Sequence, residues 1–194
     1  MSRPPRRPRE KATGRLVSDL PIRLRDATLA DADLLYSWAR SPEAKGEFNN
    51  LGSPSPDDTA SMRRSLSEGP LRNERNGQLI IERVVDGQPI GTVGWHEAHY
   101  GPPPKSRAWN IGISLIPEAR GQGHGGIAQR LLADYLFETT DTNRVEASTD
   151  VENLAEQRAL EKAGFVREGI QRGAQFRAGA HHDLITYARL RADP

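Results

Sequence analysis

Residues 108–135 read AWNIGISLIPEARGQGHGGIAQRLLADY, and this stretch decides the fold. The apolar residues of its first part alternate along the chain, as in a β-strand that buries one face: Trp109, Ile111, Ile113 and Leu115. Those of its last part recur at helical spacing: Ile127, Leu131 and Tyr135. A strand is therefore followed by a glycine-rich turn and a helix, an order typical of α/β proteins.

The glycine-rich turn, residues 119–126, is either a plain surface turn or a place where the backbone approaches a ligand. The first turn of a helix has N–H groups without partners, and its dipole favours negative charge. Glycines there let a phosphate come close, and Arg120 adds a cation. A P-loop would need Lys and Ser or Thr after the last glycine, and the dinucleotide pattern G-x-G-x-x-G is matched only loosely. The glycines are Gly121, Gly123, Gly125 and Gly126.

Around this stretch the pattern predicts a mixed sheet covered by helices, in the order βααβββαβαββ, and therefore the α/β fold class. Asp86-Gly87 between two apolar runs indicates a hairpin, and Ser55 followed by Pro56 indicates a helix start. The predicted strands are residues 21–27, 78–85, 89–100, 108–116, 144–149, 165–170 and 183–190. The predicted helices start at Thr28, Ser55, Ile127 and Asn153.

The composition excludes several classes of protein and site. The 194-residue chain has 27 Lys and Arg, 26 Asp and Glu, and no Cys. This charge balance argues against a dedicated nucleic-acid-binding protein, and the lack of Cys excludes disulfides and thiolate metal sites. No apolar run is long enough to span a membrane, so we expect a cytoplasmic protein without a membrane partner. Residues 1–18, rich in Arg and Pro, predict a disordered tail, and residues 19–194 a single domain.

Two motifs stand out along the chain. The first is Arg-x-x-Gly-x-Gly, on Arg120, Gly123 and Gly125. The second is a helix–strand frame on Asn153, Leu160, Glu161, Lys162, Gly164 and Phe165. Together they resemble the GNAT superfamily of N-acetyltransferases, and the ending FRAGAHHDLITYARL, residues 176–190, is similar to its RimJ/RimL-like branch of ribosomal-protein N-acetyltransferases. The resemblance covers about residues 20–190 and implies the GNAT fold, a mixed and splayed central sheet flanked by helices.

The resemblance implies acetyl-CoA as cosubstrate and no metal. The pantetheine arm would lie in the splay of the sheet, the pyrophosphate would sit on the glycine-rich turn, and Asn153 would bond the pantetheine or align the acyl group. The implied CoA-binding residues are Ile113, Ser114, Leu115, Arg120, Gly121, Gln122, Gly123, His124, Gly125, Gly126 and Asn153.

Acetyl transfer to an amine needs a proton acceptor, because an alkylammonium is protonated at neutral pH. Residues 95–100, WHEAHY, are the densest set of ionisable and aromatic side chains in the chain. Glu97 is the first candidate for the base and His96 the second, although both could be ordinary strand-end residues. The next strand has no acid before Glu118. Some members of the family carry the base on that strand, so this chain must use another residue or water.

A second departure from the family lies three residues after Asn153. The RimJ/RimL-like branch commonly has a serine there as candidate proton donor to the leaving thiolate, whereas this chain has Glu156. A glutamate could serve as the acid only if burial raised its pKa. In this fold the loop between the first two helices lines the acceptor pocket. The candidate acceptor-binding residues are Trp38, Glu47, Phe48, Asn49 and Trp95.

Three functions remain open at this point. The leading hypothesis is direct acetyl transfer from acetyl-CoA to a primary amine of a small molecule or a protein N-terminus, by a monomer or homodimer. The second keeps the fold but uses another acyl-CoA, a carrier protein or an aminoacyl-tRNA as donor; we expect no other nucleic-acid partner. The third is a CoA-binding protein without activity, which the glutamate at position 156 would suit.

Overall fold

The computed structural model describes residues 20–49 and 56–194. The predicted tail and the predicted cap Ser55 lie outside the described residues. The strands are β1 (Ile22–Asp26), β2 (Asn76–Arg83), β3 (Pro89–His99), β4 (Arg107–Leu115), β5 (Arg144–Asp150), β6 (Val166–Arg177) and β7 (Ala180–Leu190). The helices are α1 (Ala32–Arg40), α2 (Pro42–Lys45), α3 (Pro56–Glu68), α4 (His124–Thr139) and α5 (Leu154–Lys162).

The strands form one sheet in the order β1-β2-β3-β4-β5-β7-β6. All neighbours are antiparallel except β4 and β5, which are parallel. These two strands pair only at Trp109 with Val145 and at Asn110 with Glu146. Beyond those pairs, no strand within residues 20–49 and 56–194 lies beside the edge of β4 up to Leu115. The mixed and splayed sheet that the sequence predicts is therefore confirmed.

Helices cover both faces of the sheet because successive strand residues point to opposite sides. On β2, Leu79 and Ile81 belong to the main core, which α4 and α5 cover with Leu132, Leu136 and Leu160. Ile80, between them, points to the other face and packs with residues of α1 and α3 in a second cluster. Within residues 20–49 and 56–194, no helix is long and apolar enough to cross a membrane.

Several elements differ from the predicted ones. Helix α4 begins at His124, three residues before Ile127, so two glycines lie inside its first turn. Helix α2 was not predicted because its four residues are too few to show a period; the Ser41 side chain caps it by accepting from the Ala44 N–H. Strands β6 and β7 extend much further than predicted and form one long hairpin, whose turn carries positive φ at Ala178 and Gly179.

Candidate active site

A cavity of about 580 Å³ opens along the unpaired edge of β4. Its volume lies within the usual range of small-molecule sites. The cavity is bounded by β4, by the first turns of α4 and α5, and by residues 45–49. We call residues 41–49, which include these five, the roof segment. Its lining residues are Lys45, Gly46, Glu47, Phe48, Asn49, Ile113, Ser114, Leu115, Arg120, Gly121, Gly123, Gly125, Gly126, Asn153, Ala155, Glu156, Arg158, Ala159 and Lys162.

The glycine-rich turn presents backbone to this cavity. Gly123 is the N-cap of α4 in the left-handed region (φ 81°), and no side chain caps the helix. The N–H groups of the first turn therefore lack a capping side chain and can donate hydrogen bonds to an anion. Gly126 has a further reason to be glycine: a Cβ there would lie 3.1 Å from the carbonyl oxygen of Ala159, so the residue allows α4 to pack closely on α5.

Two side chains of the turn point back toward it rather than into the cavity. The Gln122 amide donates to the Glu118 carbonyl (2.6 Å), and the buried His124 ring has Nδ1 3.3 Å from the Ala119 carbonyl oxygen. Both contacts fasten the turn that precedes α4. We therefore expect these two residues to contribute to ligand binding through their backbone alone.

The Arg120 side chain ties the turn to its surroundings. Its Nε donates to the carbonyl of Leu115 (2.9 Å), and its Nη2 donates to the carbonyls of Glu43 and Ala44 (2.7 Å each). The guanidinium thus sits at the C-terminal end of α2, where the helix dipole favours a cation. Its predicted contact with a pyrophosphate stays a prediction, and anchoring α2 is a role that the sequence did not indicate.

The roof segment is also bonded directly to the open edge of β4. The Asn49 amide donates to the Ile113 carbonyl (3.2 Å), and the Ser114 hydroxyl donates to the Ala44 carbonyl (3.2 Å). Three predicted site residues, Asn49, Ile113 and Ser114, are therefore brought together by bonds between the two walls of the cavity.

A second arginine anchors the roof segment from the opposite side. Arg177 on β6 donates to the Glu47 carbonyl (2.8 Å) and lies over the Phe48 ring at 5.2 Å. Its guanidinium also forms a buried ion pair with Asp150 at the end of β5, and His182 Nδ1 lies 3.5 Å from the same carboxylate. Sequence reasoning missed this group because its members come from three strands and pack together only in the folded protein.

Asn153 and Glu156 form the first turn of α5. Asn153 caps the helix by accepting from the Glu156 N–H (3.3 Å), and its amide donates to the Thr149 hydroxyl (3.0 Å). A glutamate three residues after the cap often bonds back to the N–H of the capping residue. Here that N–H already donates to the Asp150 carbonyl. The Glu156 carboxyl is free of that role and lines the cavity instead.

The surroundings of Glu156 favour the protonated carboxylic acid. Burial raises the pKa of Glu156 to about 7, and the nearby Gln129 amide lowers it by a smaller amount. The dipole at the start of α5 would also favour the anion, but desolvation dominates. Glu156 therefore has the raised pKa that a catalytic acid at this position would need. Its catalytic role stays a prediction.

The structure does not bring Glu97 and His96 to the cavity, which corrects their placement near the splay. Glu97 pairs with Trp109, whereas the cavity reaches β4 at residues 113–115; four strand residues span about 13 Å. The sequence could not show which end of the β3–β4 pair faces the splay. Moreover, the hydrogen bond from Arg107 lowers the pKa of Glu97, which makes this carboxylate a weaker base.

We expect Glu97→Gln to leave kcat for acetyl transfer within about threefold of wild type, since a base would contribute at least about 10²-fold. Steady-state kinetics at saturating donor would measure the effect. A loss of 10²-fold or more, in a variant that keeps the wild-type melting temperature, would return Glu97 to the mechanism.

Two tryptophans predicted to bind the acceptor pack against the hydrophobic clusters and do not line the cavity, Trp95 fully buried and Trp38 partly buried. Trp95 is buried and meets the Tyr135 ring edge-on, with 5.8 Å between ring centroids. Trp38 packs against the second core cluster together with Met62 and Leu71. The predicted placement of both tryptophans at the acceptor pocket is therefore corrected. Each side chain lies on a face of its element that a helix or strand covers.

Comparison with known proteins agrees with this geometry. A profile of the acetyltransferase (GNAT) domain matches residues 22–166. The chain is 27% identical over 172 residues to an uncharacterized N-acetyltransferase, p20, of Bacillus licheniformis, covering 89% of this chain and 94% of that protein. It is 32% identical over 110 residues to a putative ribosomal N-acetyltransferase, YdaF, of Bacillus subtilis, covering 57% and 58%.

A solved structure shows the same fold. The spermidine N-acetyltransferase of Vibrio cholerae in complex with CoA and spermine superposes with a TM-score of 0.74 at 18% identity, covering 89% of this chain and 97% of that chain. The matching profile spans most of the chain, including β4, the glycine-rich turn and α5. The chain therefore belongs to the GNAT family of acetyltransferases.

Proposed function

We propose that this GNAT protein transfers an acetyl group from acetyl-CoA to a primary amine by direct attack, with Glu156 as the acid that protonates the leaving thiolate. One observation carries the proposal. The unpaired edge of β4, the uncapped first turn of α4 and Glu156 all border a single cavity. This arrangement supports an extended acyl carrier whose pyrophosphate lies on the first turn of α4.

The charges around the cavity support CoA as the carrier. Lys45, Arg158 and Lys162 line it in addition to Arg120, and Arg158 and Lys162 lie one turn apart on α5. Cations beside a helix N-terminus bind phosphate groups strongly. CoA carries a diphosphate and a 3′-phosphate, so several cations near one cradle match its charge better than they match an uncharged acyl donor.

The proposed step balances without a metal or a covalent intermediate. The deprotonated amine attacks the thioester carbonyl carbon, the C–S bond breaks, and the nitrogen loses one proton to water. Glu156 gives its proton to the thiolate sulfur and recovers one from solvent. A carboxylic acid with a pKa near 7 is half protonated at neutral pH, which is the range in which an acid catalyst works best.

For the acceptor we propose a primary amine of a small molecule or a protein N-terminus that enters beside the roof segment. The spermidine N-acetyltransferase and the putative ribosomal N-acetyltransferase among the similar proteins support these two classes. Glu47, exposed at the cavity, could attract a cationic amine. A cytoplasmic location is part of the same proposal, because it gives the site access to CoA thioesters.

Thermal unfolding with ligands tests the donor. Acetyl-CoA at about 100 times its Kd should stabilise the fold by roughly 2.7 kcal/mol, or about 5–10 °C for a chain of this size. ATP and NAD should shift the melting temperature much less. Free CoA and longer acyl-CoAs distinguish acetyl-CoA from other donors, and no shift with any CoA would overturn the proposal.

A matched pair of glycine variants locates the binding. Gly125→Val places a side chain at the cavity-facing start of α4 and should abolish the shift with acetyl-CoA. Gly112→Val lies on β4 but faces open space outside the cavity lining and should keep the shift. If both variants keep the shift, CoA binds elsewhere.

A further inference from the structure

Two carbonyl groups of β4 that face the splay accept hydrogen bonds from side chains. The N–H of Ile116, just after β4, donates to β3, and the backbone groups of successive strand residues point to opposite edges. The N–H and C=O groups of Ile113 and Leu115 therefore point away from β3, toward the edge that no described strand covers. Asn49 donates to the first of these carbonyls (3.2 Å), and Arg120 donates to the second (2.9 Å).

Both side chains act as substitutes for a neighbouring strand at this edge. An unpaired strand edge pairs readily with any extended chain, and it binds ligands that add themselves as a further strand. The pantetheine arm of CoA is extended and has two amide groups, each with an N–H and a carbonyl. An arm that pairs with this edge needs the carbonyl of Ile113, which the Asn49 amide occupies.

The Asn49 contact is the one of the two that an arriving ligand can release. Asn49 is exposed, and its side chain makes this one hydrogen bond to the described residues. Arg120, by contrast, donates to three carbonyls, of which two belong to the roof segment. Since the net free energy of a single hydrogen bond is small when water can replace the partner, the amide is displaced more easily than the guanidinium.

Release of the Asn49 amide does not require the roof segment to open. Arg177 holds the Glu47 carbonyl and lies over the Phe48 ring, while Arg120 holds the end of α2. The backbone before position 49 is thus fixed from two sides. A rotation about the side-chain bonds of Asn49 is therefore sufficient to free the β4 carbonyl.

We propose that Asn49 is a placeholder for an amide of the donor. It satisfies the Ile113 carbonyl in the free protein and gives it up to the pantetheine arm. The residue thereby selects among acyl donors, because only an arm with an amide N–H at this point restores the bond that binding breaks. This inference rests on the proposed function, since it takes a CoA thioester as the donor. It also assigns Asn49 to the donor, whereas the sequence predicts an acceptor-binding role.

The variants Asn49→Ala and Asn49→Leu test the proposal through calorimetric titration with acetyl-CoA, which needs no acceptor and no turnover. Both lack the amide, and Leu keeps the size of the side chain. Each should bind acetyl-CoA about three- to tenfold more tightly than wild type, because the competing hydrogen bond is gone.

The matched control is Asn76→Ala on β2. Asn76 is also exposed, and its side chain accepts a hydrogen bond from Asn73 (3.1 Å) outside the cavity lining. Its Kd for acetyl-CoA should stay within about twofold of wild type. A loss of affinity in the Asn49 variants, or a gain no greater than that of the control, would overturn the placeholder role.

The nucleotide part of CoA provides a control on the side of the ligand. Adenosine 3′-phosphate 5′-diphosphate carries the phosphates of CoA but has no arm. Its Kd should therefore be the same in Asn49→Ala and in wild type. Equal tightening of the nucleotide and of acetyl-CoA would show that Asn49 affects the whole cavity, which contradicts displacement by the arm.

The side-chain NH₂ of Asn49 gives a direct readout in ¹⁵N NMR, where its signal is the one absent from Asn49→Ala. Saturation with acetyl-CoA should speed its hydrogen exchange with solvent, because the arm displaces it from the Ile113 carbonyl. Unchanged exchange would mean that the amide keeps its partner, and slower exchange would mean that it contacts the ligand. Either result would overturn the inference.

Failure of the inference is distinct from failure of the proposed function. If wild type binds acetyl-CoA and the Asn49 variants bind it no more tightly, the role of Asn49 alone is overturned. If wild type binds no acetyl-CoA at all, the proposed function is overturned as well.

Discussion

Replacing Glu156 by Gln should lower kcat for acetyl transfer by about 10²–10⁴-fold, the usual contribution of a positioned acid. Gln keeps the size of the side chain, but it has no acidic proton to give. We therefore expect the affinity for acetyl-CoA to stay within about twofold. The kcat–pH profile of wild type should decline above about pH 7, where Glu156 ionises, and this decline should vanish in the variant.

The same substitution should raise the stability of the folded protein above pH 7. A carboxyl whose pKa rises from 4.5 to about 7 on folding destabilises the folded state as the pH rises through that window, and the cost is constant above it. Glu156→Gln should therefore melt at a higher temperature than wild type at pH 8 and at a similar temperature below pH 4.5. An active variant, or one less stable than wild type at pH 8, would contradict the assignment of Glu156 as a buried acid.

The largest effect on folding is expected at Asp150. The side chains of Asp150 and Arg177 are 2% and 5% exposed, and removing one partner of such a pair leaves an uncompensated buried charge. Asp150→Ala should cost about 3–5 kcal/mol, which lowers the melting temperature by roughly 6–20 °C. Because Arg177 also holds the Glu47 carbonyl and the Phe48 ring, we expect KM for the amine to rise as well.

An exposed ion pair provides the control. Asp33 pairs with Arg63 between α1 and α3, and its side chain is 81% exposed. Asp33→Ala should change stability by less than about 1 kcal/mol and leave KM unchanged. If Asp150→Ala does not fold, Asp150→Asn can replace it. This variant keeps one hydrogen bond to Arg177, so it should fold and melt at a lower temperature than Asp33→Ala. Equal melting temperatures for Asp150→Ala and Asp33→Ala would show that the buried pair does not hold the fold.

Local patterns predicted the fold well because they depend on spacing alone. The alternation on β4, the glycine-rich turn that leads into α4 and the helix start at Asn153 each specify one local conformation, and the structure has all three. The placement of Glu97 was wrong for a physical reason. A strand pattern identifies the faces of a strand, but only the sheet register decides which end lies near the splay.

The remaining site residues depend on contacts that no spacing reveals. Asp150 and Arg177 are 27 residues apart and meet only because β5, β7 and β6 lie side by side.

The parallel seam between β4 and β5 has a consequence for the order in which the site is made during synthesis. β1 to β4 are complete when residue 115 has left the ribosome, whereas β5 pairs with β4 at only two positions and otherwise with β7. β5, which leads into the cavity-lining helix α5, therefore has its full pairing only after residues 180–190 emerge. A nascent chain therefore cannot complete this side of the cavity before residues 180–190 have been synthesised.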